Sequence, residues 1–308
     1  MLYYLPFSYN FNFTFNFEYS WSSYMSALKP AEFVQTMIDV GEAKIRTSSR
    51  DLVLRGTMAG IILSLAVVVA ITAIVQTGVG LVGALVFPVG FCILSLMGYD
   101  LLTGVFGLAP LAKFDKRSGI TWGRILRCWG FIGLGNLIGS LIVAFLIALI
   151  FTTNFSVEAG AVGQKFIGAT MARTVGYAEH GFDGWITVFV KGILCNLMVC
   201  LGVIGNMTAR TVAGKIAAMW LPIFIFFSLV FEHAVVNMFL FPLGMLLGAD
   251  VGIATWLNWN LIPTLLGNLV GGLLFTCIPL YLTHAKTAPA LTDDVAPVAA
   301  PKGKTAKA

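Results

Sequence analysis

The chain alternates between long uncharged apolar runs and short charged stretches. The runs are Gly56–Val75, Leu81–Tyr99, Gly130–Phe151, Gly192–Met207, Ile216–Phe231 resumed by Ala234–Leu247, and Leu261–Leu282, the fourth reaching back to Trp185 across Lys191. A helix needs about 20 mainly apolar residues to cross a bilayer. None of the runs alternates with period two, so they predict helices and not barrel strands. The second and fifth differ from the rest. VFPVGFCILSLMGYDLLTGVFGLAPL is interrupted by Gly98, Asp100 and Gly104, and WLPIFIFFSLVFEHAVVNMFLFPLGMLL by Glu232 and His233. Each is too long for a single crossing helix. Backbone that leaves the helix at membrane depth is tolerated only where protein buries it or a wet cavity borders it. The pattern therefore predicts six spans, with helices two and five broken.

Composition agrees. Of 308 residues, 58% are hydrophobic and 11% charged, and the mean hydropathy is +0.90. Soluble domains carry roughly 25% charged residues. A soluble enzyme, a disordered scaffold and a secreted disulfide module are thereby excluded. The net charge of +5 reports topology and not nucleic acid. Alternate inter-span segments hold 16 and 2 of the Lys and Arg residues, and Lys191 inside span four completes the 19. By the positive-inside rule both termini are cytoplasmic, in the inner or plasma membrane. Cys92, Cys128, Cys195, Cys200 and Cys277 form no CxxC pair and read as packing thiols, with no metal and no cofactor implied.

LGNLIGSL (Leu134–Leu141) returns in the second half as LGNLVGGL (Leu266–Leu273). The shift that carries Leu134 onto Leu266 also carries Asp100 onto Glu232 and Arg55 onto Thr187. Three helices plus three helices puts the second unit upside down, an all-α 3+3 inverted repeat. The half-helices after the two breaks would then aim their positive dipole ends at the centre, a field that suits an anion. His233 is the only His inside the spans and sits at a break, which marks it as functional. Asp100 and Glu232 read first as acids that fix their own broken loops. Lys191 either snorkels to the interface or lines a vestibule. Asn196 and Asn237 either bond between helices or donate to a substrate.

FEHAVVNMF (Phe231–Phe239), GILCNLMVCL (Gly192–Leu201), YDLLTG (Tyr99–Gly104) and NLIPTLLGNLVGG (Asn260–Gly272) together resemble the formate/nitrite transporter family. The resemblance runs from about Pro30 to about Leu282. It implies a homopentamer with one pore per protomer, an aquaporin-like six-helix fold, and passage of small monovalent anions or their conjugate acids. It implies that His233 is the central histidine, with Thr103 opposite it on the loop that breaks span two. It places Asn196 and Asn237 beside the pore, and Phe87 and Phe226 in apolar constrictions. Phe91 stands where the family usually has Leu, which puts substrate size in question. The expected function is a channel for small anions moved down gradients with protons, without catalytic residues and without an ATP-binding motif. A neutral-solute pore for water, glycerol or ammonia is the alternative. A membrane enzyme would need a cluster of catalytic groups, and one buried His does not make one.

The domain organisation expected is a non-native or disordered aromatic leader over 1–24, an amphipathic cytoplasmic segment over 25–51, the channel over 52–284, and a disordered tail over 285–308. In the leader, 11 of 24 residues are aromatic, and FNFTFNF alternates as a strand would. Phe33, Val34, Met37, Ile38 and Ile45 form one helical stripe, with Gly41 its weak point, suited to lying on the lipid surface. The basic tail is solvated or weakly bound to membrane lipid.

Overall fold

The computed structural model describes residues 27–286, and all the regular structure among them is helical. In chain order the helices are α1 (Pro30–Arg46), α2 (Ser49–Thr77), α3 (Gly80–Val86), α4 (Pro88–Leu96), α5 (Leu102–Phe114) and α6 (Trp122–Phe151). They continue as α7 (Ala161–Ala172), α8 (Val175–Ala178), α9 (Gly181–Thr208), α10 (Val212–Ser228), α11 (Ala234–Leu246) and α12 (Ile253–Lys286). The leader 1–24, its strand-like pattern and the tail beyond Lys286 lie outside the described residues. Helix α12 carries on through Ala285 and Lys286.

Helices α2, α6, α9 and α12 are each long and apolar enough to cross a membrane. The second and fifth apolar runs are instead split, α3 and α4 from α5 by residues 97–101, and α10 from α11 by residues 229–233. Starts follow local chemistry. The Ser48, Thr121 and Thr211 side chains accept the backbone N–H of Asp51, Arg124 and Gly214, which caps α2, α6 and α10.

Helix α2 packs along α6, and α9 along α12. Lipid tails offer no hydrophobic drive for such pairing, so the gain comes from close approach over small residues. A Cβ on Gly139 would stand 2.1 Å from the Thr57 carbonyl oxygen, and one on Gly271 2.1 Å from that of Ile193. Only glycine fits at either place. Gly139 and Gly271 are related by the same shift as Leu134 and Leu266, whereas Thr57 and Ile193 stand one helical turn further apart in the sequence. By this packing Arg55 is level with Lys191 and not with Thr187. The link from α9 into the second broken span is shorter, by that one turn, than the link from α2 into the first. Helix α5 packs on α1 and α12, and α11 on α6 and α7.

Helix α1 departs from expectation. Its apolar stripe, Val34, Met37, Ile38 and Ile45, is buried against protein and does not lie on lipid. Gly41, the weak point in the helical pattern, is where α1 comes closest to α5, since a Cβ there would meet the Leu108 carbonyl oxygen at 2.2 Å. Arg127 fastens the end of α1, donating to the carbonyls of Ile45 at 2.7 Å and Thr47 at 2.9 Å. Helix α1 also touches the last turn of α12, so both described ends of the chain lie at one face of the bundle, here the terminal face. Gly41→Val is expected to lift α1 from α5 and lower the thermal midpoint in detergent. A midpoint equal to the wild type would mean that α1 is not held by this contact.

Candidate functional site

Each break leaves backbone groups without helical partners inside an apolar slab, and one buried asparagine answers each. Asn136 accepts the Leu102 N–H at 2.9 Å and donates to the carbonyls of Asp100 at 2.8 Å and Gly56 at 2.9 Å. Asn268 accepts the Ala234 N–H at 2.9 Å and donates to the carbonyls of Glu232 at 2.9 Å and Gly192 at 2.9 Å. Each side chain thus spans its break and ties it to a neighbouring helix. Reading GN-x-x-G as a packing motif misses these two residues. The available signal is one amide in an otherwise apolar run, recurring by the shift that relates Asp100 to Glu232.

The two acids are buried and are paired differently. Glu232 receives a two-pronged contact from Arg173, Nε at 2.9 Å and Nη2 at 2.5 Å, and further bonds from Asn237 at 2.9 Å, Asn260 at 3.1 Å and Tyr177 at 3.3 Å. Lys191 donates to the Tyr177 hydroxyl at 2.9 Å and so joins the same network. Asp100 pairs through Oδ1 with Lys44 of α1, and its Oδ2 has no partner. The sequence pattern singles out neither Arg173 nor Lys44. Each lies far from its acid along the chain, and nothing local marks either.

His233 and Thr103 meet across the two breaks, with Nε2 and Oγ1 3.0 Å apart. His233 also caps α11, its Nδ1 accepting the Val236 N–H at 3.1 Å. An accepting Nδ1 carries no proton, so the ring is the neutral tautomer with its proton on Nε2, donated to Thr103. The Thr103 hydroxyl hydrogen is then left over for another acceptor. Asn196 steadies the same turn, donating to the carbonyls of Thr103 at 3.0 Å and Asn268 at 2.6 Å.

Two cavities flank this pair. One, of about 320 Å³, opens at the face opposite the termini and is bordered by Lys165, Arg173, Phe226, Val230 and His233. The other, of about 360 Å³, opens at the terminal face and is bordered by Lys44, Phe91, Asp100, Asn206 and Lys215. Phe226 lies nearly parallel to the His233 ring, centroids 5.7 Å apart. Phe87 packs edge-on to Phe226 at 5.7 Å and stacks on Phe227 at 4.2 Å. The structure thus brings His233, Thr103 and Asn196 together, with Phe226 and Phe91 on separate cavities. Asn237 and Lys191 stand with Glu232, and Asp100 at the terminal-face cavity. Among the described residues no group of three His, Cys, Asp or Glu is arranged to hold a metal.

Removing one partner of a buried ion pair costs about 3–5 kcal/mol because the other charge is stranded. Arg173→Met is therefore expected to lower the thermal midpoint sharply, and Glu232→Gln in the same chain to restore part of it. Equal losses in the single and double variants would show that the pairing is not what matters there.

Known proteins resemble this chain over most of its length. The family described as formate/nitrite transporter matches residues 31–282. YrhG of Bacillus subtilis (strain 168), an uncharacterized transporter, is 30% identical over 271 residues, covering 85% of this chain and 96% of its own. A probable formate transporter of Methanothermobacter thermautotrophicus is 35% identical over 213 residues, covering 68% and 76%. A solved pentameric formate channel with formate bound superposes with a TM-score of 0.63 at 26% identity, over 77% of this chain and 98% of that one. The apolar helices, the two breaks and these likenesses make the protein an integral membrane protein, and the chain belongs to the formate/nitrite transporter family.

Proposed function

We propose that the protein is a homopentameric channel that passes small monovalent anions, formate or nitrite among them, down their gradients, with passage linked to a proton at His233. The observation that carries this is the Thr103–His233 contact between two cation-lined cavities on opposite faces. Lys165 on one side and Lys215 on the other raise the local anion concentration, while Arg173 and Lys44 are already balanced by Glu232 and Asp100. The apolar groups between the cavities penalise bare charge. Helices α5 and α11 begin at the two breaks, and their positive ends favour an anion that has entered. The Thr103 hydroxyl hydrogen is the donor such an anion meets. Pentamer and substrate class are supported by the likeness to a pentameric formate channel.

The six spans form a 3+3 inverted repeat of aquaporin-like plan. Its support is the recurrence of the Asn136 bonds at Asn268 and of the Gly139 contact at Gly271, with the partners on α2 and α9 one turn further apart. The terminal face is cytoplasmic, a reading that the Lys and Arg distribution supports. On this plan residues 25–51 are cytoplasmic and 52–284 form the channel.

Flux of formate and nitrite into proteoliposomes, from about pH 5 to about pH 8, tests the reading beside His233→Phe. Flux is expected to rise as the pH falls, because protons are then available at His233, and to collapse in the variant. Passage of water or ammonia without either anion would overturn the anion reading in favour of a neutral-solute pore. Flux that is independent of pH and survives the substitution would remove the proton link.

A further inference from the structure

The two loops that break the spans make the same turn. In the first, Gly98 N–H donates to the Ser95 carbonyl at 3.1 Å and Tyr99 N–H to that of Leu94 at 2.9 Å. In the second, the equivalent positions repeat both bonds. Val230 N–H donates to the Phe227 carbonyl at 3.1 Å and Phe231 N–H to that of Phe226 at 3.1 Å. The turn needs left-handed backbone at its pivot, which is where glycine usually ends a helix. Gly98 supplies it at φ 74°, whereas in the second loop the pivot is Val230, at φ 52°. A β-branched residue is strained there, because its Cβ crowds the following carbonyl oxygen.

Burial does not offset the strain, since Val230 is 56% exposed. What its side chain does touch is the cavity at the face opposite the termini, which it borders together with Phe226, Phe231 and His233. Gly98 borders the other cavity and puts no side chain into it. The same turn position thus leaves one entrance open and sets an isopropyl group in the other.

We propose that Val230 is a specificity-determining residue, whose side chain narrows the entrance opposite the termini and lets compact anions reach His233 while holding back bulkier monocarboxylates. The inference rests on the anion-channel reading above. The strain is retained because glycine at this position would give up the filter.

Formate and propionate flux through reconstituted wild type, Val230→Gly, Val230→Ala and Val230→Asn tests it, alongside thermal midpoint and native mass. In Val230→Gly the propionate-to-formate flux ratio rises several-fold and the midpoint rises. Val230→Ala gives an intermediate ratio. Val230→Asn, whose side chain tolerates the left-handed backbone and keeps most of the bulk, raises the midpoint but leaves the ratio near wild type. An unchanged ratio in Val230→Gly, with normal formate flux, overturns the filter alone. So does loss of the oligomer in that variant, which would assign the side chain to a subunit contact. No formate flux in the wild type overturns the anion-channel reading and the filter with it.

Discussion

A helix interrupted inside an apolar slab is the constraint on which the rest of this structure depends. Water is not there to take up the freed backbone groups, and a buried polar group left unpaired costs about 1–3 kcal/mol. Asn136 and Asn268 meet that demand at the two breaks with a donor and an acceptor from one side chain each. The glycine contacts that draw α2 onto α6 and α9 onto α12 bring the asparagines within reach of Gly56 and Gly192. Close helix packing and the stability of the breaks are therefore one requirement.

Fixing the breaks also brings two carboxylates into the interior, and the two halves treat them unequally. Arg173 presents a planar fork to Glu232, and two amides and a phenol complete the shell. A guanidinium matches a carboxylate in this way, whereas an ammonium acts as a point charge. Lys44 accordingly satisfies one oxygen of Asp100 and leaves the other without a partner. Lys44 also arrives from α1, a helix outside the spans, so the first break depends on how α1 docks. The second break is held by groups of its own face, and it alone combines a complete carboxylate shell with a strained pivot at Val230.

Much of this is legible in the sequence because membrane helices write strong signals. Charged or imidazole groups in apolar runs locate both breaks and single out His233. The recurrence of LGNLIGSL as LGNLVGGL relates Asp100 to Glu232. A single shift fails for α2 and α9, because periodic apolar residues do not reveal a one-turn difference in the length of a connection. Partners distant in sequence are illegible for a different reason. Lys44 and Arg173 look like ordinary basic residues of polar segments, and only the tertiary fold turns them onto buried acids. The stripe of α1 is plainly apolar, yet amphipathicity alone does not say whether lipid or protein covers it. Thr103 comes from family resemblance, since a lone threonine after a break has no pattern of its own.

If passage is linked to a proton as proposed, the arrangement at His233 gives that step a physical condition. With Nδ1 tied to the Val236 N–H, the ring cannot take a second proton without surrendering the cap of α11. The resulting imidazolium would be a buried charge with a desolvation cost, since the nearby Arg173 and Glu232 already neutralise each other. On the proposed reading, an anion beside Thr103 offsets that cost, because its charge balances that of the ring and is itself relieved by the proton. Occupancy and protonation, on that reading, favour each other between Phe226 and Phe91. A site built in this way, on the proposed reading, holds its charge only in transit, which suits passage down a gradient.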